Sequence, residues 1–375
     1  MKTNNFVTLF TRLEDYHISK DVCQVPFHMY KEFGYDSYII GHNKFSKNKT
    51  SIVEGLNFFD IPKMSFLKIS ISSIFFLIAN AKQIKILNLF HIRIYNLIYV
   101  YIYKLFNKEG IVYIKGDLSA KDLKINKLLE VNIFKKIIGR FLLKNIGQKI
   151  DILSAETKEA KIILQNEYST IFKKIILIPN GVDSNFVENN IEKRFSFEEK
   201  DNMLLTVGRI GATEKNNEIM LKVLSKIELF NWKVYFIGPI ENNFQVKVEN
   251  FYIENPLKKN SVIFLGSLNK KELYKFYNKS KVFFLTSNYE GFPLVFPEAL
   301  YFGNYIVSTD ISSAEDVIEY NNGELINENN LSNVLNKIVS TGFLSNAHIV
   351  NSRKLSKDKF LWKNIIKELN RELPS

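Results

Sequence analysis

Residues 288–306 decide the fold, and they read Asn288-Tyr-Glu-Gly-Phe-Pro-Leu-Val-Phe-Pro-Glu-Ala-Leu-Tyr-Phe-Gly-Asn-Tyr-Ile306. A predicted strand at 281–286 leads into the stretch, and another at 305–309 leads out of it. Between them, a loop carrying Glu290 runs into a predicted helix carrying Glu298. Such a turn aims free backbone N–H groups and the positive end of a helix dipole at one point, which suits a diphosphate. The two carboxylates suit hydroxyl groups, such as those of a sugar and a ribose.

A second group of residues lies upstream of this stretch. Residues 203–207 read as a short buried strand that ends at Gly208, and Arg209 and Lys215 follow. Two cations past the carboxyl end of a strand lie where open α/β sheets bind ligands. Arginine offers a fork to phosphate oxygens, and lysine offers a compact charge. Solvated surface charges are the alternative for either cation alone, but the order of the two groups along the chain favours a shared site.

Both groups resemble motifs of the retaining glycosyltransferases of family 4. Glu290 and Glu298 match its Glu-x7-Glu signature, and Gly208-Arg209-x5-Lys215 matches its Gly-Arg-x5-Lys. The resemblance implies the GT-B fold, an α/β architecture of two doubly wound Rossmann-like domains facing across a cleft. It also implies retaining transfer of a hexose-type sugar from a UDP- or GDP-sugar, without a metal or other cofactor. A surface loop with solvated acids is the alternative reading of the two-Glu motif.

The resemblance gives each donor-side residue a role. Arg209 and Lys215 hold the pyrophosphate together with the backbone N–H groups near Leu294 and Val295. Glu290 holds donor-sugar hydroxyls and stabilises positive charge at the anomeric carbon, and Glu298 accepts hydrogen bonds from the ribose. The remaining predicted donor-side residues are Gly208 beside Arg209, Gly291 and Phe292 at the sugar pocket, and Gly238, Leu265 and Gly266 at the base pocket.

Strand and helix patterns alternate along the chain, which predicts parallel, doubly wound sheets. The predicted strands are 5–10, 38–40, 84–89, 111–114, 151–155, 174–178, 203–207, 233–237, 262–264, 282–285 and 305–307. Ile178-Pro-Asn-Gly-Val-Asp183 resembles the element at which family 4 chains pass between domains. We therefore predict an acceptor-binding domain over 1–180 and a nucleotide-sugar-binding domain over 181–356. The segment 357–375 is predicted to return to the first domain as one helix over 357–372. Residues 184–201 read as a linker, and 127–145 as a long amphipathic helix.

Two further motifs place acceptor-side residues in the first domain. Lys20-Asp21-Val22 and Tyr113-Ile-Lys115-Gly-Asp117 resemble motifs of bacterial envelope-polysaccharide transferases. We therefore predict Lys20, Lys115 and Asp117 on the acceptor side, with Asp117 also a catalytic candidate. Gly116-Asp117 reads equally well as a turn that caps the next helix. His17 and His91 are further acceptor-side candidates, although a lone histidine is commonly a half-buried structural residue. The loop 11–21 has no glycine, so a close backbone approach to phosphate is not expected there.

The positive charge is concentrated in the first half of the chain. Residues 1–180 hold 27 Lys and Arg against 15 Asp and Glu, whereas 181–375 hold 24 of each. A basic half suits an anionic membrane surface, a nucleic acid or an anionic acceptor. The segment 63–85 is amphipathic and flanked by lysines, which fits a helix in a membrane interface or one packed on the domain's own sheet. Its longest uncharged run, 69–81, is too short to span a bilayer.

The cysteine and histidine content of the chain bears on disulfide formation, metal binding and cellular compartment. The single cysteine, Cys23, excludes an internal disulfide, and the five scattered histidines do not predict a zinc site. No signal peptide is recognisable, so we predict a cytoplasmic protein, peripheral at the inner face of the cell membrane. Its predicted function is transfer of sugar to a saccharide acceptor, of the lipid-linked type, in bacterial surface polysaccharide biosynthesis such as that of capsule or lipopolysaccharide. The alternatives are a catalytically silent GT-B scaffold subunit and a basic nucleic-acid-binding protein, for which no stacking-aromatic or zinc pattern is present.

Overall fold

The computed structural model describes residues 4–42, 54–66, 69–124 and 133–374. The chain divides into two compact units. Unit 1 comprises residues 1–180 and 362–375, and unit 2 comprises residues 181–361. The first boundary lies between Asn180 and Gly181, and the C-terminal boundary lies at 361/362 rather than 356/357.

Unit 1 is built on a parallel sheet. Its described strands are β1 (Asn5–Leu9), β2 (Asp36–Gly41), β3 (Leu56–Asp60), β4 (Ser65–Phe66), β5 (Ile69–Ser70), β6 (Ile86–Phe90), β7 (Ile111–Lys115), β8 (Ile152–Ala155) and β9 (Ile175–Leu177). Seven of them form one sheet in the order β3-β2-β1-β6-β7-β8-β9, with every neighbouring pair parallel. β4 and β5 form a separate antiparallel pair. The strand order reverses between β1 and β6, and ligands bind beyond the strand ends at such a point in open α/β sheets.

Helices cover both faces of this sheet. Those before residue 181 are α1 (Asp21–Phe33), α2 (Ile71–Asn80), α3 (Ile94–Phe106), α4 (Ala120–Lys124), α5 (Ile133–Ile146) and α6 (Lys158–Tyr168). One core joins strand residues such as Leu87 and Ile114 to α2, α3 and α6. A second core joins Phe6 on β1 and Tyr113 on β7 to α1. Two apolar faces explain why the inner strands are almost continuous hydrophobic runs.

Unit 2 repeats the architecture. Its strands are β10 (Asp201–Val207), β11 (Lys233–Ile237), β12 (Val262–Gly266), β13 (Ser280–Leu285), β14 (Tyr305–Thr309) and β15 (Gly323–Ile326). They form a parallel sheet in the order β12-β11-β10-β13-β14-β15. Its helices are α7 (Ser184–Asn190), α8 (Asn217–Leu224), α9 (Asn242–Glu254), α10 (Lys270–Lys279), α11 (Val295–Phe302), α12 (Ala314–Val317), α13 (Leu331–Ser340) and α14 (Asn346–Lys359). The strand order reverses between β10 and β13, so a ligand site is expected beyond their carboxyl ends.

The single helix predicted over 357–372 is wrong. α14 ends at Lys359, and a new helix, α15 (Trp362–Glu372), begins two residues later. The residues between the two helices are bound to unit 2. The Val182 N–H donates to the Phe360 carbonyl (2.8 Å), and Val182 forms a parallel β-bridge with Leu361. In unit 1, α15 packs on α1 and buries Trp362 and Leu369 in the same core as Phe6.

The predicted linker over 184–201 is also wrong over its first seven residues and at Asp201, where β10 begins. Residues 184–190 form α7, because the Asp183 side chain caps it by accepting from the N–H groups of Asn185 (3.1 Å) and Phe186 (3.2 Å). The prediction rested on polarity and overlooked this cap. The two-residue strands β4 and β5 were not predicted, and neither were two strands of the main sheets, β3 and β15. β3 and β15 lie at sheet edges, where part of the strand is exposed and the hydrophobic signal is weak.

The ends of all the predicted strands are confirmed to within about two residues. Gly34 ends α1 with φ of 69°, in the left-handed conformation expected of a terminating glycine. Residues 127–132 of the long helix predicted over 127–145 lie outside the described residues, and α5 covers the rest of that helix. Residues 67 and 68 of the 63–85 segment also lie outside the described residues. No helix in the described ranges is long and apolar enough to cross a bilayer.

Candidate functional site

Three glycines bring the carboxyl ends of β10, β11 and β12 close together in unit 2. The Gly208 N–H donates to the Ile237 carbonyl (3.0 Å), and the Gly238 N–H donates to the Gly266 carbonyl (2.8 Å). A Cβ at Gly238 would lie 1.8 Å from the Gly208 carbonyl oxygen, and φ there is +141°. Only glycine fits at position 238, so the predicted residues Gly208, Gly238 and Gly266 form one backbone cluster. Leu265, on the same strand end, is partly exposed.

Arg209 and Lys215 bracket a turn that follows β10. The turn is tied to the end of β13, because the Asn288 N–H donates to the Glu214 carbonyl (2.8 Å) and the Thr286 hydroxyl donates to the Lys215 carbonyl (2.9 Å). Arg209 is largely exposed and forms an ion pair with Glu214. The cations therefore lie at the point where the strand order reverses, as the sequence predicts.

Lys215 and Glu290 are in direct contact. The ammonium of Lys215 forms an ion pair with the Glu290 carboxylate, and the two side chains are only 15% and 16% exposed. The Ser287 hydroxyl also donates to the Glu290 carboxylate (2.8 Å), and the Ser287 carbonyl accepts from the Thr309 hydroxyl (2.6 Å). These contacts hold a cation and an acid side by side at the ends of β10 and β13.

Glu298 lies in the first turn of α11, where a carboxylate interacts favourably with the helix dipole. It is 4% exposed and forms an ion pair with Lys270, the first residue of α10. The backbone N–H groups of Leu294 and Val295 have no acceptor among the described residues, so they remain open to an anion. Pro297 stands within the first turn, where a missing N–H costs little.

Two predicted sugar-pocket residues differ in their surroundings. Gly291 lies in the loop that leads to α11 and is partly exposed. Phe292 is 3% exposed, and its ring packs in the core of unit 2, with its centroid 5.4 Å from that of Phe360. Its side chain therefore packs the interior of unit 2.

In unit 1, Lys115 lies below the surface, although it was predicted on the acceptor side. Its side chain is fully buried at the end of β7, and its ammonium contacts Glu156, Asp21 (3.4 Å) and Asn180 (2.9 Å). Burial opposes its charge, but Glu156 and Asp21 outweigh burial and raise the pKa of Lys115. A buried ammonium with these partners fixes the positions of neighbouring groups and is not placed to touch an acceptor.

His91 and Asp117 lie beside this cluster, at the ends of β6 and β7. His91 has φ of 64°, an uncommon conformation for a residue with a side chain, and its carbonyl accepts from the Asn96 amide (2.9 Å). Burial lowers the pKa of His91, although Asp117 and Asp21 oppose this, so the imidazole is neutral near pH 7. Asp117 is exposed. Strained residues of this kind concentrate at functional sites, which favours His91 as a site residue.

His17 and Lys20 lie in the turn before α1. His17 is buried, its Nδ1 accepts from the Glu14 N–H (3.0 Å), and its ring packs against Phe10. Lys20 lies over the Tyr16 ring at 4.5 Å. The structure thus gives His17 a structural role in the turn, whereas Lys20 remains partly exposed. Within the described ranges, no group of three or more His, Cys, Asp or Glu could hold a metal ion.

Comparison with known proteins identifies the domain that carries the donor-side residues. Residues 187–354 match the family described as Glycosyl transferases group 1. This region is a group 1 glycosyltransferase domain. It contains Arg209, Lys215, Glu290 and Glu298, and it spans most of unit 2.

Curated relatives of this chain are glycosyltransferases. An uncharacterised glycosyltransferase, MJ1607, of Methanocaldococcus jannaschii is 25% identical over 55% of this chain and 56% of its own length. The amylovoran biosynthesis glycosyltransferase AmsD of Erwinia amylovora is 25% identical over 51% of this chain and 56% of its own. An N-acetylgalactosaminyltransferase of Campylobacter jejuni, acting on a diphospho-undecaprenol-linked sugar, is 25% identical over 48% of this chain and 47% of its own. The chain spans about half the length of these relatives.

Solved structures show the fold of the whole chain. A glycosyltransferase from Rickettsia africae superposes with a TM-score of 0.73 at 16% identity, covering 98% of both chains. The HepE protein of Anabaena, solved in complex with UDP-glucose, superposes with a TM-score of 0.69 at 12% identity, covering 98% of this chain and 99% of its own. The chain therefore has the GT-B fold, as predicted.

Sequence reasoning missed several residues around the candidate sites. Ser287 and Lys270, which contact Glu290 and Glu298 in the group 1 domain, carry no motif of their own. Glu156 and Asn180 were missed in unit 1, although each follows a predicted strand end. Asp21 was part of a quoted motif without a role, and its contact with Lys115 now joins the two motifs of unit 1.

Proposed function

We propose that this protein is a retaining glycosyltransferase of family 4 that transfers a hexose-type sugar from a nucleoside-diphosphate sugar. The contact between Lys215 and Glu290 carries the proposal. In such a donor the outer phosphate is bonded directly to the anomeric carbon, so a phosphate-binding cation and a sugar-binding acid must lie within a few ångströms of each other. These two side chains meet that requirement beyond the strand ends where open α/β sheets bind ligands.

The pyrophosphate is held from two sides. Arg209 and Lys215 approach it from the turn after β10, and the free N–H groups of Leu294 and Val295 approach it from the start of α11. In the free protein each cation is neutralised by a carboxylate, Glu214 or Glu290, and the donor's phosphates compete for it. We propose a UDP- or GDP-sugar as the donor.

The reaction breaks the bond between the anomeric carbon and the diphosphate oxygen and forms a bond to an acceptor hydroxyl on the same face. The hydroxyl proton passes to a phosphate oxygen of the leaving group, so no dedicated protein base is required. Negative charge grows on the diphosphate during this step, and fixed cations stabilise it most in the transition state. Glu290 stabilises the positive charge at the anomeric carbon, and Glu298 holds the ribose. This account requires no metal.

The acceptor is a saccharide of the lipid-linked type in surface polysaccharide biosynthesis, reached at the inner face of an anionic membrane. Two observations support this part of the proposal. The positive charge lies in the half of the chain that forms unit 1, and a relative acts on a diphospho-undecaprenol-linked sugar. His91 and Asp117 are acceptor-side candidates that lie beyond the carboxyl ends of β6 and β7 in unit 1.

A thermal-shift screen with nucleoside diphosphates and their sugars tests the site and names the donor. One nucleotide should raise the melting temperature of the wild-type protein, and the Arg209→Ala/Lys215→Ala variant should show no shift. Mass spectrometry should then detect slow hydrolysis of the matching sugar nucleotide by the wild type alone. Equal hydrolysis by the double variant would refute the assignment, and absence of any nucleotide effect would favour the silent scaffold.

A further inference from the structure

Helices α2 and α3 present an unusual surface of unit 1. The outward residues of α2 are Ile71, Phe75, Ile78 and Ala79, and the helix carries no charged residue. Along α3 the outward side chains Ile98, Tyr101, Leu105 and Phe106 are likewise aliphatic or aromatic. Phe75 is 61% exposed and Leu105 is 58% exposed. A pair of helices would ordinarily turn such residues inward, so their exposure points to a partner.

Hydrogen bonds fix the two helices side by side. The Tyr99 hydroxyl accepts from the Ser70 N–H (2.9 Å), which ties the start of α2 to the middle of α3. The Asn107 amide donates to the Ala81 (2.9 Å) and Ile84 (2.8 Å) carbonyls, which ties the two C-terminal ends together. α2 therefore runs parallel to the second half of α3. We call the outward residues named above the two-helix face.

A basic pocket of about 650 Å³ adjoins the shared C-terminal ends. Five lysines line it with two acids, namely Lys82, Lys85, Lys104, Lys108, Lys173, Glu109 and Asp151. Asp151 forms ion pairs with both Lys104 and Lys173, each at 2.7 Å. Lys82 and Lys108 have no ion pair among the described residues. The C-terminal end of each helix contributes only about half a negative charge to this pocket. The positive charge of the lysines therefore exceeds the negative charge around them, and the pocket attracts anions.

We propose that the two-helix face inserts into the interface of an anionic bilayer, with phosphate-bearing headgroups in the lysine pocket. Apolar side chains bordered by lysines are what an interfacial helix needs. The excess of positive charge in residues 1–180 favours anionic lipid over a second copy of this chain, which would bring like charge to the contact. The inference deepens the membrane part of the proposed function by naming the contacting surface. It also adds α3, which the sequence did not indicate.

Vesicle flotation tests the proposal with the full-length protein. Wild-type protein should float with phosphatidylcholine vesicles that contain phosphatidylglycerol and should not float with vesicles of pure phosphatidylcholine. High salt should release the bound protein from the vesicles. Phe75→Glu/Leu105→Glu should weaken binding roughly 100-fold, because two insertions are lost. Lys82→Glu/Lys108→Glu should weaken it at least roughly 25-fold, since each lysine contributes roughly fivefold at an anionic surface and each glutamate adds repulsion.

Matched controls come from exposed positions in unit 2. Ile253→Glu removes an exposed apolar side chain of α9, and Lys222→Glu/Lys226→Glu reverses two exposed lysines in and after α8. Both should float like the wild type. Circular dichroism and the nucleotide-induced thermal shift show that each variant is folded.

Three results would overturn the proposal. The two-helix variants could float as well as the wild type, or the wild type could ignore phosphatidylglycerol. Light scattering could also show a wild-type dimer that Phe75→Glu/Leu105→Glu converts to a monomer, which would assign the face to a second copy. Flotation needs neither donor nor acceptor, so its failure is distinct from a failure of sugar transfer.

Discussion

Replacing Lys215 with alanine removes the contact on which the proposed donor site depends. Glu290 then keeps its bond from Ser287 but loses its counter-ion while only 16% exposed. Loss of one partner costs about 3–5 kcal/mol in a fully buried pair and about 0–1 kcal/mol in a surface pair. At the observed exposure we expect the free energy of unfolding of unit 2 to fall by roughly 2 kcal/mol. We expect the transfer rate to fall roughly 100-fold, as with other preorganised charge stabilisers.

The two tryptophans allow each unit to be followed separately. Trp232 is buried in unit 2 and Trp362 is buried in unit 1, so a Trp362→Phe background leaves fluorescence from unit 2 alone. Urea unfolding of the parent, Lys215→Ala, Glu290→Ala and the double variant in that background gives a double-mutant cycle. The double variant should regain roughly 1 kcal/mol relative to the sum of the single changes, because no carboxylate is left without a partner.

An exposed lysine supplies the control for this cycle. Lys222→Ala should change the stability of unit 2 by less than about 0.5 kcal/mol and leave the transfer rate unchanged. The reasoning fails if the coupling between Lys215 and Glu290 is below about 0.3 kcal/mol, or if Lys215→Ala transfers sugar at the wild-type rate.

Three further changes test other parts of the structure. Glu298→Ala should raise the donor KM with little effect on kcat, and a change confined to kcat in steady-state kinetics would contradict the ribose role. Gly238→Ala should destabilise unit 2 by roughly 3 kcal/mol or more, because its Cβ would overlap the Gly208 carbonyl, whereas Gly342→Ala, with open space around it, should cost only about 1–2 kcal/mol. Equal urea midpoints for these two glycine variants would argue against the close approach. Lys115→Met should lower the stability of unit 1 by roughly 3–5 kcal/mol, measured by Trp362 fluorescence in a Trp232→Phe background, and added Glu156→Gln should restore part of it. A stable Lys115→Met protein would show that the buried pair contributes little.

The inner strands and the helix after Glu290 could be predicted because their residues follow simple physical rules. Strands buried on both faces appear as hydrophobic runs, and glycine ends helices such as α1 and α11 in the left-handed conformation. The edge strands β3 and β15 could not be found in this way, since part of each is exposed. The break before Trp362 depends on a hydrogen bond between Val182 and Phe360, which are far apart in sequence.

The two sites differed in how far they could be predicted. Arg209, Lys215, Glu290 and Glu298 were selected by a resemblance, and the structure shows which of them touch. The neighbours of Lys115 were not foreseen, because parallel pairing of β7 with β8 brings Glu156 to it from 41 positions away. Their chemistry was visible in the sequence, but their proximity was not.

The central claim is that two cations and the start of α11 hold the donor's pyrophosphate. Isothermal titration of the nucleotide identified by thermal shift, as diphosphate and as monophosphate, measures what the second phosphate contributes. We predict that the wild-type protein binds the diphosphate at least about tenfold more tightly and that Arg209→Ala/Lys215→Ala binds both nucleotides alike. An unchanged preference for the diphosphate in the double variant would contradict the account.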